Sequence, residues 1–83
     1  MGEPVVSNTI RVQRAVRDLT QADLAERAGI TRVSVNAIEA GRMVPSIFLA
    51  LKLARALGVS VDDLFSLPGE QSHREPASSG SLP

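Results

Sequence analysis

Two short helical patterns separated by one glycine constrain this chain more than any other feature. Residues 20–42 read TQADLAERAGITRVSVNAIEAGR. Thr20 is a typical helix N-cap, and Asp23 stands at the spacing of a capping box. Apolar residues then recur at helical spacing, at Leu24, Ala25 and Ala28. Gly29 is typical of a helix end, because glycine accepts the positive φ found there. The pattern predicts a short helix that begins at Gln21 and ends in a tight turn.

A second short helix is predicted directly after this turn. Thr31 is its N-cap, Val35 and Ile38 are its inward residues, and Gly41 closes it. Ala25 falls where the two helices would touch, and its small side chain allows a close approach. Two helices that cross steeply through a short turn form a helix-turn-helix. The outward residues of the second helix are then free to face a DNA groove: Arg32, Val33, Ser34, Asn36, Ala37 and Ala40.

The segment from Leu19 to Phe65 resembles the lambda-repressor-like, Cro/Xre-type helix-turn-helix domain. The shared pieces are Leu19-Thr20-Gln21, Leu24-Ala25, Gly29-Ile30-Thr31-Arg32, Ile38-Glu39, Gly41-Arg42, Pro45-Ser46 and Leu57-Gly58-Val59-Ser60. Each piece alone is weak, but their order and spacing together are highly specific. The resemblance implies an all-α, compact five-helix DNA-binding domain whose second motif helix enters the major groove. Composition and periodicity alone indicate only a small helical domain with a helix-turn-helix.

The length of 83 residues suits one small domain. We expect a flexible arm over residues 1–6, the helix-turn-helix domain over 7–67, and a tail or linker over 68–83. That last segment is rich in serine, proline and glycine and has too few apolar residues to order itself. A solvated tail, a linker to a further domain and a cloning remnant all remain open.

Three further helices complete the predicted domain. Helix one is placed at about residues 8–17, with Ser7 or Asn8 as its cap. Helix four is placed at 47–57 and helix five at 61–66. The predicted inward stripe of helix four is Ile47, Ala50, Leu53, Ala54 and Leu57. Helix five is predicted to cover the core with Val61, Leu64 and Phe65.

Several classes of function are disfavoured by composition. The chain has no cysteine, which excludes a disulfide scaffold and cysteine-based metal or nucleophilic sites. The single histidine, His73, lies in the polar tail. No catalytic triad, paired carboxylates or phosphate-binding glycine loop is visible. We therefore expect no enzymatic activity, no cofactor and no metal. No membrane span or signal peptide is expected either, so the predicted location is the cytoplasm.

The charge balance is neutral, because nine Lys and Arg residues match nine Asp and Glu residues. Neutrality alone counts against nucleic-acid binding, which usually leaves a basic footprint. Seven of the eight arginines, however, fall between residues 11 and 55, and Arg32 and Arg42 bracket the predicted reading helix. This distribution favours one basic face despite the zero sum.

The predicted base-reading residues are Arg32, Val33, Ser34, Asn36 and Ala37. Arg32 can bond guanine or a phosphate, and Asn36 can bond adenine. The resembled family often has glutamine at position 33, whereas valine there can only pack against a thymine methyl group. The predicted phosphate contacts are Gln21, Arg42, Met43 and Ser46, and the family resemblance implies the backbone-clamping role of Gln21. The alternative is that one or more of these side chains faces solvent and makes no contact with DNA.

Two charged residues are predicted to meet across the domain. In the resembled fold an arginine on helix one faces a glutamate on helix three, and Arg14 and Glu39 match those positions. A bidentate pair would hold the reading helix on the scaffold. The alternative is that each side chain is separately solvated.

A single module reads few base pairs, so a homodimer on a two-fold operator in double-stranded DNA is expected. Exposed apolar residues suggest where it forms: Val44, Phe48 and Leu51, or Val61 and Leu67. Phe48 packing over its own domain is the alternative. The sequence thus favours a transcriptional regulator that acts as a repressor and has no small-molecule effector. An antitoxin or protein-interaction module and a restriction–modification controller remain alternatives.

Overall fold

The structure, a computed structural model, describes residues 6–68. It contains five helices in chain order, α1 (Ile10–Val16), α2 (Gln21–Ala28), α3 (Arg32–Glu39), α4 (Ile47–Leu57) and α5 (Val61–Leu64). Two short strands, β1 (Ser7–Asn8) and β2 (Phe65–Ser66), pair at the ends of the domain. The predicted five-helix architecture is confirmed. Most of the predicted arm and tail, residues 1–5 and 69–83, lies outside the described residues.

All five helices contribute to one hydrophobic core. The side chains at its centre are Ile10, Leu24, Val35, Leu53 and Leu64, each with an exposed fraction of 0%. Burying a side chain of this size contributes roughly 1.5–3 kcal/mol to folding. Since both inward residues of α3 are buried, at Val35 and Ile38, the core itself fixes which side of α3 faces outward.

The turn between α2 and α3 has the predicted local structure. The hydroxyl of Thr20 accepts a hydrogen bond from the Asp23 backbone N–H at 2.9 Å, and the Asp23 carboxylate accepts one from the Thr20 backbone at 3.0 Å. This second bond lowers the pKa of Asp23. Gly29 has φ of 73°, and the N–H groups of Gly29 and Ile30 donate to the Ala25 carbonyl at 2.9 and 3.0 Å. The positive φ makes glycine the suitable residue here.

The start of α1 differs from its prediction. The helix begins at Ile10, and the residue before it, Thr9, makes no side-chain cap bond. Ser7 and Asn8 belong instead to β1, which pairs antiparallel with β2 in the register Ser7 to Ser66 and Asn8 to Phe65. The prediction that Ser7 or Asn8 occupies the N-cap position was therefore wrong, because backbone pairing holds both residues extended, although the Asn8 side chain does accept a hydrogen bond from the first N–H of α1. The domain accordingly carries a small sheet besides its helices.

The Asn8 side chain connects β1 to two helices. Its Nδ2 donates to the backbone carbonyls of Ile38 and Glu39 at 3.1 and 3.3 Å. Its Oδ1 accepts from the Ile10 backbone N–H at 3.0 Å. The carbonyls at a helix C-terminus have no partner within the helix, so this amide caps the last turn of α3.

Helix α5 is shorter than predicted, because Phe65 and Ser66 form β2 rather than a further helical turn. Its predicted covering role is confirmed: Leu64 is buried, and Val61 and Phe65 pack against the core.

The inward position predicted for Ile47 was wrong, since its side chain is 78% exposed. The core contact in the first turn of α4 is made by Leu49 instead. The other predicted inward residues of α4 are buried, at Ala50, Leu53, Ala54 and Leu57.

Candidate nucleic-acid interface

The exposed side of α3 carries most of the predicted base-reading residues. Arg32, Val33 and Asn36 are exposed, and the Val33 side chain is 77% exposed. We call these three residues the reading face. Ser34 and Ala37 are half-buried at its margins. The structure therefore brings all five predicted residues to one helix, with three of them projecting from its surface.

Ser34 belongs partly to the helix cap. The Thr31 hydroxyl accepts a hydrogen bond from the Ser34 backbone N–H at 3.0 Å and donates one to the Ser34 Oγ at 3.0 Å. The Ser34 hydroxyl hydrogen stays available to an acceptor beyond the protein.

Behind the reading face, Arg14 of α1 holds Glu39 of α3 in a bidentate ion pair. Arg14 Nε lies 3.0 Å from Glu39 Oε1, and Arg14 Nη2 lies 2.8 Å from Glu39 Oε2. The Glu39 side chain is 3% exposed and the Arg14 side chain 17%. Arg14 Nη1 also donates to the Leu19 carbonyl at 3.0 Å. Arg11, 81% exposed, adds a longer contact of 3.3 Å to the same carboxylate.

The pKa directions of this pair follow from its surroundings. Burial raises the pKa of Glu39, but hydrogen bonds from Arg14 and Arg11 outweigh burial and bring that pKa below its usual value. The hydrogen bond to Glu39 raises the pKa of Arg14 despite partial burial. Both groups therefore stay charged at neutral pH, and the last turn of α3 is held to α1.

A chain of polar contacts extends from this ion pair to the protein surface. Gln21 Nε2 lies 3.4 Å from Glu39 Oε1, and Asn36 Nδ2 donates to Gln21 Oε1 at 3.1 Å. Arg42 Nη2 then donates to Asn36 Oδ1 at 2.7 Å. We call Glu39, Gln21, Asn36 and Arg42 the polar chain. It links two predicted phosphate contacts, Gln21 and Arg42, through a residue predicted to read bases.

Sequence reasoning missed the polar chain. Gln21 and Asn36 are 15 positions apart on different helices, and their contact depends on the angle at which those helices cross. The only available signal was that both are outward polar residues on the two helices of the motif.

The start of α2 borders a depression with a volume of about 530 Å³. Gln21 and Ala22 of the first helical turn line it, together with Arg14 and Arg32 and one acidic residue, Asp18. The first backbone N–H groups of a helix and the positive end of its dipole favour anions. The helix start and the exposed Arg32 favour a DNA phosphate, whereas Asp18 in the same lining disfavours one and Arg14 is already paired with Glu39.

The remaining predicted phosphate contacts lie around the loop before α4. Arg42 and Ser46 are exposed, and Ser46 caps α4 by accepting from the Leu49 backbone N–H at 3.1 Å. Met43 is half-buried against the core, so its side chain faces the protein. Any Met43 contact with DNA would therefore use its backbone N–H.

A sequence model of the helix-turn-helix family matches residues 10–64, which run from α1 to α5. The chain belongs to the helix-turn-helix family. In this helix-turn-helix domain, α2 and α3 are the two motif helices. The predicted family resemblance is confirmed.

Similar helix-turn-helix proteins occur among archaea. An uncharacterized HTH-type transcriptional regulator of Methanocaldococcus jannaschii, MJ0272, is 42% identical over 60 residues, which cover 72% of this chain and 91% of the relative. An uncharacterized HTH-type transcriptional regulator of Methanothermobacter thermautotrophicus is 49% identical over 59 residues, covering 70% of this chain and 86% of the relative.

A solved crystal structure is also similar to this chain. It is the restriction-modification controller protein C.AhdI from Aeromonas hydrophila, with a TM-score of 0.63 and 33% identity. The match covers 65% of this chain and 82% of that chain.

Residues 6–68, which the structure describes, hold no group of three His, Cys, Asp or Glu residues suited to a metal ion. Within the same residues, no helix has the length and apolar character to cross a membrane.

Proposed function

We propose that the protein is a sequence-specific double-stranded DNA-binding transcriptional regulator that acts as a repressor and binds as a homodimer. The observation that carries this proposal is the exposed reading face of α3, held from behind by the Arg14–Glu39 ion pair. A helix placed in the major groove must present its side chains at a fixed angle, and a rigid attachment provides it. The proposal includes no catalytic reaction and no cofactor, and places the protein with the nucleoid in the cytoplasm.

The reading face favours two kinds of base contact. Arg32 is exposed in the first turn of α3, where a guanidinium can bond the O6 and N7 atoms of guanine. Val33 beside it offers a methyl surface to thymine. Ser34 and Ala37 add smaller contacts at the margins. The Asn36 amide already makes two hydrogen bonds in the polar chain, which leaves one N–H and one lone pair for adenine.

The phosphate contacts would lie on both sides of the reading face. On one side, Gln21 and the depression at the start of α2 would receive a phosphate. On the other, Arg42, Ser46 and the Met43 backbone would meet the opposite side of the groove. Because the polar chain connects Gln21 to Arg42, these two positions are held at a fixed separation before DNA binds.

Arg32 and Arg42 should respond differently to truncation. Arg32→Ala is expected to lower the preference for specific over non-specific DNA by about 1–3 kcal/mol, because a base contact is lost. Arg42→Ala should weaken binding to all sequences and flatten the dependence of affinity on salt by about one counterion. Titrations of selected and scrambled duplexes at several salt concentrations measure both effects.

The matched control for these variants is Arg55→Ala, which removes an exposed arginine in the last turn of α4, outside the residues assigned to DNA contact. It should leave both the sequence preference and the salt dependence unchanged. Equal and sequence-blind losses for Arg32→Ala and Arg42→Ala would contradict the roles assigned to them.

The homodimer is proposed because one reading helix contacts too few base pairs for a specific site. The exposed apolar candidates are Val44, Phe48 and Leu51 near and on α4, and Leu67 after β2, with exposed fractions of 53%, 65%, 54% and 60%. Val61 is half-buried against the core and offers less surface. Phe48 and Leu51 border three cations, and a two-fold contact centred on them would gather six cations without a carboxylate in the lining. We therefore assign the two-fold contact mainly to Leu67, with a smaller contribution from Val61.

Leu67→Ser should shift the protein from dimer to monomer and reduce affinity for a two-fold operator more than for a half-site. The reason is that an exposed leucine at a two-fold contact is buried once in each copy. Sedimentation velocity with and without DNA measures the assembly. Phe48→Ser is the matched control and should leave the dimer intact; a monomer at high concentration and on DNA in the parent protein would refute dimerisation.

A second candidate within the same class is control of restriction–modification genes. It rests on the similarity to C.AhdI, a restriction-modification controller protein. Selection of bound sites from random DNA separates the two candidates, because a controller's site should occur beside a methyltransferase or endonuclease gene.

A further inference from the structure

A groove between α2 and α4 lies apart from the reading face. It has a volume of about 590 Å³, with Ala28 of α2 and Phe48, Leu51 and Ala56 of α4 supplying apolar lining. Phe48 is 65% exposed and Leu51 54%. Spaced three residues apart on one helix, they form a continuous apolar strip. Contiguous exposed apolar surface on a small soluble protein commonly marks a binding site.

The polar lining of this groove is entirely cationic. It comprises Arg27 of α2 and Lys52 and Arg55 of α4, with no carboxylate among the lining residues. Lys52 Nζ lies 3.3 Å from the Gly29 carbonyl and 4.6 Å from the centre of the Phe48 ring. Among residues 6–68, neither Arg27 nor Arg55 forms an ion pair with a carboxylate; the two ion pairs there both involve Glu39. The cations therefore remain available to an external anion.

We propose that this groove binds an amphipathic helix of another protein, with an apolar face toward Phe48 and Leu51 and carboxylates toward Arg27, Lys52 and Arg55. Apolar grooves between helices commonly accept such a helix. Carboxylates flanking its apolar face complement the three cations and increase the rate of association. The groove runs beside α4, whose eleven residues extend about 16 Å at 1.5 Å per residue, room for about three turns of a partner.

Charge decides between the possible occupants. A second copy of this groove would bring six cations together without a carboxylate in the lining, which is unfavourable. Duplex DNA would satisfy the cations, but phosphates and sugars offer no apolar match for Phe48 and Leu51. An acidic amphipathic helix satisfies both parts of the groove.

The groove and the reading face are separated along α2. Arg27 lies six positions after Gln21, which corresponds to about 9 Å along the helix. The groove is thus displaced from the end of α2 that faces DNA in the proposed function. The proposal therefore has the partner helix and DNA contact different ends of α2.

Two synthetic peptides of about 16 residues, roughly 24 Å when helical, test the proposal. Both carry leucine and phenylalanine at helical spacing, and the remaining positions are glutamate in one peptide and lysine in the other. Titrated into the full ¹⁵N-labelled chain, the acidic peptide should bind at least about tenfold more tightly than the basic one, a difference of about 1.4 kcal/mol. Its largest amide shifts should fall on Ala28, Lys52 and Ala56.

Groove variants give the second part of the test. Phe48→Ser with Leu51→Ser should remove acidic-peptide binding, and Arg27→Glu with Arg55→Glu should lower it at least about tenfold. Val12→Ser with Val16→Ser is the matched control, since both valines are exposed on α1, outside the groove. Circular dichroism of each variant establishes that it is folded.

Three results would overturn the proposal. The first is equal binding of both peptides, or shifts that centre on α3. The second is dissociation of the homodimer by Phe48→Ser with Leu51→Ser, which would make a second copy the occupant. The third is a flatter salt dependence of DNA binding in Arg27→Glu with Arg55→Glu, which would make DNA the occupant. If the parent protein showed no specific DNA binding, that result would instead contradict the proposed function. It would not affect the conclusion drawn from peptide binding.

Discussion

Val33→Glu is expected to lower DNA affinity by about 100-fold, or close to 3 kcal/mol, while leaving the domain folded. Val33 lies on the reading face with 77% of its side chain exposed, so the new carboxylate disturbs no core contact. It is the second residue of α3, where a negative charge interacts favourably with the helix dipole. In the major groove the same carboxylate would meet phosphates and base acceptors, and like charges at an interface cost several kcal/mol.

Fluorescence anisotropy with a labelled duplex measures this loss, and thermal unfolding tests the fold. Val12→Glu is the matched control, because Val12 is also exposed, at 59%, in the first turn of α1. It should change affinity by less than about threefold, equivalent to about 0.7 kcal/mol. If both variants lost affinity equally, the effect would be one of overall charge and α3 would lose its assigned role.

Arg14→Ala is expected to destabilise the domain by about 3 kcal/mol. The Glu39 side chain, 3% exposed, would lose both short bonds of the bidentate pair and keep only longer contacts to Arg11 and Gln21. Removing one partner of a buried pair leaves a charge that is poorly compensated. Each kcal/mol lowers the melting temperature of a domain of this size by roughly 4–8 °C, so a loss of more than about 12 °C is expected.

A double-mutant cycle with Glu39→Ala, together with a control variant, tests this ion pair. Glu39→Ala alone and together with Arg14→Ala should give strongly non-additive stabilities in urea unfolding. Arg11→Ala is the control: its 81% exposed side chain contacts the same carboxylate at 3.3 Å and should contribute less than about 1 kcal/mol. Purely additive losses for Arg14 and Glu39 would show that the two residues act independently.

The same pair predicts how stability depends on pH. Because the folded-state pKa of Glu39 is below its unfolded value, the ion pair contributes fully above the ordinary glutamate pKa of about 4.3. That contribution is lost as the pH falls through the lower folded-state pKa. The difference in unfolding free energy between the parent and Arg14→Ala should therefore shrink on acidification and stay constant from neutral pH to the mildly alkaline range.

Local sequence signals predicted the helices that position the site. Thr20 and Asp23 form the predicted capping box, and Gly29 has the predicted positive φ. These signals act over four or five residues, so one sequence contains all the information they need. The same holds for the buried stripe of α4 beyond its first turn, where apolar spacing alone identified the inward side.

Features that depend on tertiary geometry could not be read in this way. Strands of two residues are too short to show alternation, so the pairing of Asn8 with Phe65 gave no signal. The contact between Asn36 and Gln21 depends on a helix crossing angle that the sequence does not specify. Ile47 fitted the helical period of α4, but in this first turn Leu49 packs against the core and Ile47 is exposed. The meeting of Arg14 and Glu39 was anticipated through family resemblance and not through spacing.

The pairing of Ser7 with Ser66 brings the entry and exit points of the described fold together. Domains with adjacent ends tolerate circular permutation and insertion into a surface loop of a host protein. Residue 66 could be joined to residue 7 through a few glycines, and new chain ends could be opened elsewhere. Helices α2 and α3 would then remain consecutive in the chain. The domain that carries α3 can thus be inserted into a host protein through both of its ends. The insertion would not separate those ends, because they already lie side by side.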